Sequence, residues 1–378
     1  MATPIKKIVG NIFFIAGCIY SFLYLLSCCT PYINATQFSV LTFLALGFPY
    51  LFIGMLLWLL IVIIFYRKFS WLFLLIILLG SENIFSTFAI NIPKTFEQEK
   101  KENSLRVLSW NVQEFLDSQI ANDTPGSIRR NMMEFIGKTN ADVICLQDFQ
   151  EHTSIHFRSC LKDISQQYNY PYHYFCVDQS LQQYYAFIQY GTVIFSRYPI
   201  VDSGSMAYKI NNIAESLSYV DIVKEKDTIR VFNTHLRSMY IKANMLDSTL
   251  NFDLIGKKEI EFLTNNPSKF TRLQHYAKEH ITQAKFIKEQ LNKSKYPIIF
   301  CADLNSVPTS YVYHTIKNGL TDAFIAKGFG IGATYYDLAP TLRIDVILTS
   351  KKFKTLQCYI PTIKASDHYP VVADLKIK

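Results

Sequence analysis

From Ile8 to Tyr66 the chain carries no charged side chain, and through Ser81 it contains no Asp or Glu. A soluble domain needs polar groups to cover its surface, whereas a bilayer core accepts apolar helices of about 20 residues. Residues 8–29 and 38–66, runs of 22 and 29, both meet that length. Pro49 gives the second one room to kink or tilt. A third segment, 69–90, is apolar to Gly80, meets Glu82 and Asn83, then turns apolar again. It either continues as a span with Glu82 near the interface or dips and turns back. A buried hairpin of a soluble protein does not account for two long charge-free runs. Residues 1–92 are therefore expected to be a transmembrane region.

The few charges in this region set its direction. Lys6 and Lys7 precede the first run, and Arg67 and Lys68 follow the second. Basic residues favour the cytoplasmic side. Residues 31–37 then form a short outer loop. With a third span, residues 93–378 lie on the extracytoplasmic side of a bacterial cytoplasmic membrane. "LLSCC" at 25–29 loosely resembles a lipoprotein cleavage site, a reading that ranks second because more apolar sequence follows directly.

All 30 acidic residues lie beyond Ser81, together with 34 of the 38 basic ones. That surplus of four is too small to argue nucleic-acid binding from composition. Five cysteines in the polar part, Cys145, Cys160, Cys176, Cys301 and Cys358, show no CxxC spacing and sit mostly in apolar runs. They read as small buried hydrophobes rather than a disulfide or metal framework.

After a polar linker at 93–104, short β-branched runs recur at 106–110, 142–146, 192–195, 229–233, 297–301, 344–348 and 371–375. Helical periodicity appears at 127–139, around Met132, Met133 and Ile136, and at 270–291. The second helix is expected to expose a basic face of Arg272, Lys278, Lys285 and Lys288. Short strands with interspersed helices over this length imply one layered α/β domain.

The ends of those strands share a chemistry. Asn111, Asp148, His235, Asp303, Asn305, Asp345, Asp367 and His368 each end or interrupt an apolar run. One such residue is an ordinary turn or cap. Eight of them at six strand ends, all Asn, Asp or His, suit a hard divalent cation beside phosphate-binding histidines.

The segments "LRVLSWNVQEF", "DVICLQD", "YGTVIFSRYPI", "NTHLRS", "CADLNSVPTS", "RIDVIL" and "SDHYPV" follow in order from 105 to 371. Together they resemble the motif set of the endonuclease/exonuclease/phosphatase superfamily, which includes deoxyribonuclease I, abasic-site endonucleases and neutral sphingomyelinases. The resemblance implies a four-layer α/β/β/α sandwich of two packed mixed β-sheets over 105–378. It implies Mg²⁺, or Mn²⁺, held near Asn111, Asp148 and Asp367. Asp148 stands where the family usually has Glu, one methylene shorter. His235 would donate to a phosphate oxygen, and Asn305 would position the phosphate. His368, paired with Asp345, would act on the phosphoryl group. Either Asp303 or His368 would serve as the water's base. Tyr190 and Arg197 are candidates for substrate contact.

These roles suit in-line attack of water on a phosphoester, whose negative charge must be offset as the leaving oxygen departs. The expected enzyme is a membrane-anchored phosphodiesterase or phosphatase of lipid-like or small phosphoesters. The alternatives are an anchored nuclease acting on DNA and an inactive binding protein on the same fold. No Arg/Lys-rich loop marks a duplex grip, which disfavours the nuclease, and none of the eight positions has become apolar, which disfavours the inactive protein. The aromatic stretch 168–175 and the insertion 239–269 are expected to shape the site. No partner protein can be inferred from the sequence.

Overall fold

The computed structural model describes residues 4–34, 40–115, 127–153, 158–183, 186–208, 215–239, 265 and 268–378. Most of the 239–269 insertion and part of the 31–37 loop lie outside the described residues.

The polar part opens with β1 (Ala89–Ile90), β2 (Leu105–Asn111), β3 (Val143–His152), β4 (Tyr172–Gln183) and β5 (Ala186–Ser196). Next come β6 (Ile200–Ala207), β7 (Ser216–Lys224), β8 (Asp227–His235), β9 (Ile298–Asp303) and β10 (Leu320–Asp322). It closes with β11 (Phe329–Gly330), β12 (Asp345–Ser350), β13 (Phe353–Tyr359) and β14 (Val371–Ile377). One six-stranded sheet runs β13-β14-β2-β3-β5-β4 and the other β10-β12-β9-β8-β7-β6, while β1 and β11 form a small ribbon. Each large sheet is mixed, with one parallel pair, β2/β3 or β8/β9. A parallel pair needs a crossover, and a helix lies in each connection: Ile128–Thr139 in the first, Lys269–Asn292 in the second.

The strands read as continuous apolar runs because both faces are covered. Val107, Val143, Cys145, Val231, Ile299, Cys301 and Ile347 point into the space between the sheets. Their neighbours Leu108, Ile144 and Leu146 meet Met132, Met133 and Ile136 of the Ile128–Thr139 helix. On the other side Phe300, Ala302 and Val346 meet Ile281, Ala284 and Ile287 of the Lys269–Asn292 helix. The result is a four-layer α/β/β/α sandwich. Ser127 caps the first helix by accepting from Arg130 N at 3.2 Å. On the second helix Arg272 is buried, contrary to the expected basic face. It shares its side of the helix with Tyr276, Glu279 and Gln283, all buried as well.

The apolar region folds as α1 (Pro4–Cys28), α2 (Val40–Phe65), α3 (Ser70–Leu79) and α4 (Ser81–Thr87). Among the described residues, α2 alone is long and apolar enough to cross a membrane as a single helix. The third segment is broken: Arg67–Leu79 and Ser81–Thr87 meet at 58°. The break falls at Gly80, where a Cβ would collide with the Tyr24 hydroxyl of α1, so glycine is required for the close approach.

This helical region packs on the sandwich at one end. Thr30 Oγ1 donates to Thr309 O and Thr309 Oγ1 to Ala45 O, both at 2.7 Å. Ala45 clusters with Val307, Leu342 and Ile344. Arg343, 1% exposed, donates to Asp322 Oδ2 and to Ser86 O of α4, both at 2.6 Å. The 93–104 segment lies along the domain. Phe96 lies tilted against Tyr359, with ring centroids 3.9 Å apart, and Arg106 donates to the carbonyls of Glu97 and Gln98.

Candidate active site

Two parallel strand pairs finish at the same edge, and the antiparallel strands beside them begin there. That topology gathers residues that are far apart in sequence. Asn111 ends β2, His235 ends β8 and Asp303 ends β9, while Asp345 opens β12 opposite Asp303. His368 lies three residues before β14, which pairs with β2. Across the edge Asn111 Nδ2 donates to Asp303 Oδ2 at 2.9 Å, a hydrogen bond between the two sheets.

Around Asp303 the distances are short. His235 Nε2 lies 3.6 Å and His368 Nε2 3.7 Å from Asp303 Oδ2. His368 Nδ1 is 2.8 Å from Asp345 Oδ2, and its Nε2 is 3.9 Å from Asp367 Oδ1. Asn305 takes a left-handed backbone with φ 44°, its N donates to Asp303 Oδ1, and its Nδ2 sits 3.2 Å from His235 Nε2. Atoms of Asp303, Asp345 and His368 that can bind a metal all lie within 4.8 Å of one another.

Burial alone would lower the basicity of His368, but Asp345, Asp303 and Asp367 outweigh it and hold the imidazolium up at about 10. The same contest raises His235, whose chief counter-charge is Asp303. Burial pushes Asp345 upward, reinforced by Asp303 and opposed by His368. Asp367 is also raised, first by burial.

Several residues that complete the edge were not singled out from the sequence. Thr334 Oγ1 accepts from the backbone N of Ile344 and Asp345, and the Tyr335 ring lies 4.8 Å from that of His368. Beneath the edge, Gln147 Nε2 donates to Asn233 Oδ1 at 2.7 Å, forming a polar link between the sheets. His280 is fully buried, with Nε2 2.7 Å from Arg237 O and Nδ1 3.2 Å from Ser306 Oγ. A carbonyl can only accept, so Nε2 carries the proton and the Ser306 hydroxyl donates to Nδ1. Burial holds this imidazole down at about 4, in keeping with the neutral form. His280 thus ties together the segments that follow His235 and Asn305. The visible signal for Gln147 and Asn233 was their place inside the motifs "LQD" and "NTH".

Two expected contributors fall elsewhere. Arg197 follows Ser196, which pairs with Val143 at the opposite end of β3 from Asp148, about 16 Å away at the usual strand rise. There it donates to Asn140 Oδ1 and lies over the Tyr170 ring. The aromatic stretch goes with it: Tyr172–Phe175 pair with Ser196–Val193, so 168–175 packs at the far end of the sheet. Tyr190 pairs with Gln150, near Asp148, but is only 8% exposed.

The sequence matches the model of the Endonuclease/Exonuclease/phosphatase family over residues 108–368. A second family model, for a domain of unknown function, matches residues 10–87. Among solved structures, an endonuclease/exonuclease/phosphatase from Bacteroides vulgatus superposes with a TM-score of 0.50 at 16% identity, covering 73% of this chain and 100% of that one. One from Beutenbergia cavernae gives 0.48 at 20% identity, covering 73% and 72%. A Bacteroides thetaiotaomicron family protein gives 0.47 at 18% identity, covering 73% and 98%. No curated protein matches the chain.

Proposed function

Because the chain belongs to the endonuclease/exonuclease/phosphatase family and is a phosphoester hydrolase of that kind, we propose that it is a membrane-anchored, Mg²⁺-dependent phosphodiesterase whose substrate is lipid-like or a small phosphoester. The observation that carries this reading is the meeting of helical region and strand edge. Val307 and Thr309, just beyond Asn305, and Leu342 to Ile344, just before Asp345, are the residues that pack on α2 and α4. A site flanked by its own anchor is suited to a substrate presented at a membrane surface.

The same contacts support the outward orientation. The sandwich meets the helices at Thr30, Ala45 and Ser86, whereas Arg67 and Lys68 follow the opposite end of α2. With the basic pair in the cytoplasm, the sandwich is on the other side.

Members of this family typically use divalent cations, and the residues present fit one. The oxygens of Asn111, Asp148 and Asp367 are hard donors. Asp345 Oδ1 is buried without a partner. Asn111, Asp148 and Asp367 would hold the cation, which when bound supplies Lewis-acid relief of the phosphate charge. His235 and Asn305 would grip the non-bridging oxygens. Asp303 would orient the attacking water, and His368, kept charged by Asp345, would donate to the phosphoryl group.

The test is hydrolysis by the full chain in lipid vesicles. A phospholipid or aryl phosphodiester should be cleaved in Mg²⁺ in preference to DNA. Preferred cleavage of DNA would establish the nuclease instead.

A further inference from the structure

The apolar surface of the molecule does not end with its helices. Leu78, Leu79 and Phe85 of the broken third segment are exposed, and Ile90 and Ile92 follow at 72% and 81% exposure. Ile90 belongs to the ribbon of β1 and β11, where it stands directly opposite Phe329, itself 61% exposed. Residues opposite each other in an antiparallel pair share a face, so Ile90 and Phe329 present one apolar side outward. Ala89 points the other way, into the space between the sheets beside Phe324. Asn91 Nδ2 donates to the carbonyls of Ile325 and Gly328 at 3.0 and 2.9 Å, fastening the ribbon to the helix Ala323–Lys327.

Beside the ribbon a cavity of about 350 Å³ opens, lined by Phe324, Phe329, Tyr359 and Ile360 together with Lys94 and Lys327. Both lysines are exposed, and among the described residues no Asp or Glu lines the cavity. Apolar walls with two ammonium groups at hand complement a phospholipid, whose acyl chains want the first and whose phosphate wants the second. Position favours that occupant. The ribbon begins two residues after α4, and the seven residues of α4 rise only about 10 Å. It therefore starts close to the level at which α3 ends, where the exposed Leu78 and Leu79 mark the lipid-facing surface. A contiguous exposed apolar patch of this kind is a membrane contact rather than ordinary surface.

We propose that the β1/β11 ribbon dips into the adjoining leaflet, with Ile90, Ile92 and Phe329 among the upper acyl chains, and that Lys94 and Lys327 hold an anionic phospholipid headgroup in the cavity beside it. The proposal rests on the membrane-anchored reading above. It gives the sandwich its own hold on the bilayer and fixes which face it turns to the lipid.

The test is quenching of an added tryptophan in the full-length protein, reconstituted in vesicles of phosphatidylcholine and phosphatidylglycerol brominated near the head of the acyl chain. The parent is the blank, and its Trp58 and Trp71, in α2 and α3, report insertion. The fluorescence that Phe329→Trp adds should be blue-shifted and at least halved by the brominated lipid. At equal bromine content, brominated phosphatidylglycerol should quench it roughly twofold or more strongly than brominated phosphatidylcholine. Lys94→Gln with Lys327→Gln should abolish that preference. Ile92→Trp serves as the probe if Phe329→Trp does not fold. An added tryptophan that is red-shifted and unquenched overturns the immersion of the ribbon. One that is blue-shifted but unquenched means that a second copy of the chain covers the ribbon, and overturns it equally. Quenching with no lipid preference, or a preference that survives loss of both lysines, overturns the headgroup assignment. Unquenched Trp58 and Trp71 in the parent overturn the membrane-anchored reading and this proposal together.

Discussion

His368 Nδ1 and Asp345 Oδ2 stand 2.8 Å apart, although 23 positions separate them in the chain. Strand pairing makes this contact. Asp345 begins β12 opposite Asp303, and His368 precedes a strand that pairs with β2. The carboxylate fixes the ring's orientation and keeps it charged far above the usual histidine range.

The first prediction concerns pH. The folded-state pKa of His368 is raised to about 10 from an ordinary value of 6.5. Its contribution to stability is therefore fully present below about pH 6.5 and is lost as pH rises through about 10. Chemical denaturation of the parent and of His368→Gln between pH 6 and 10.5 should show their stability difference shrinking with rising pH. In activity profiles, Asp345→Asn should move the alkaline limb downward. A profile unchanged by Asp345→Asn would mean that His368 does not titrate in the reaction.

Arg343 should matter for stability. Its guanidinium, 1% exposed, joins Asp322 and the Ser86 carbonyl. Removing it leaves the buried Asp322 carboxylate without its counter-charge, which costs about 3–5 kcal/mol. Arg343→Ala should lower the melting temperature sharply in detergent, and Arg343→Lys should recover only part of it, because one ammonium does not reproduce the guanidinium fork. A parental melting temperature for Arg343→Ala would contradict this account of how helices and sandwich are joined.

His280 is expected to act by positioning. It links Arg237 O to Ser306 Oγ, and so holds the His235 and Asn305 segments in register. His280→Ala should lower kcat by about tenfold with little change in KM, since misplacement by even an ångström is costly, and His280→Gln should restore part of the loss. An equal fall in both variants that tracks the folded fraction would reduce His280 to an ordinary core residue.

Much of this arrangement was legible in the sequence, for a physical reason. Central strands buried on both faces read as apolar runs, and the polar residues that end them stand out by contrast, as Asn111, His235 and Asp303 do. Edge strands have no such contrast. β6, which reads IVDSGSMA, is half exposed and has no apolar run. Arg197 misled because its motif neighbours are on the same strand as residues near the site, yet it falls at the strand's other end. The helical region was plain in composition, but its break at Gly80 depends on contact with Tyr24, which lies 56 positions away.

The orientation is open to a direct assay. With Arg67 and Lys68 in the cytoplasm, protease added to intact spheroplasts should cleave the sandwich domain and spare a cytoplasmic marker. Full protection of the domain would place it inside.

The central claim is that the gathered edge is a metal-dependent phosphoester-hydrolysing site worked by His368 and Asp303. The most direct measurement is turnover of the purified full-length protein on an aryl phosphodiester, a phospholipid, a phosphomonoester and DNA, in Mg²⁺ and in chelator. At least one ester should be cleaved in Mg²⁺ and none in chelator. His368→Ala should lose roughly 10²-fold or more while remaining folded, and Asp303→Ala should stay inactive at saturating metal. Asp148→Ala should chiefly raise the metal requirement. Undiminished turnover in chelator, or a folded His368→Ala working at the parental rate, would contradict the account.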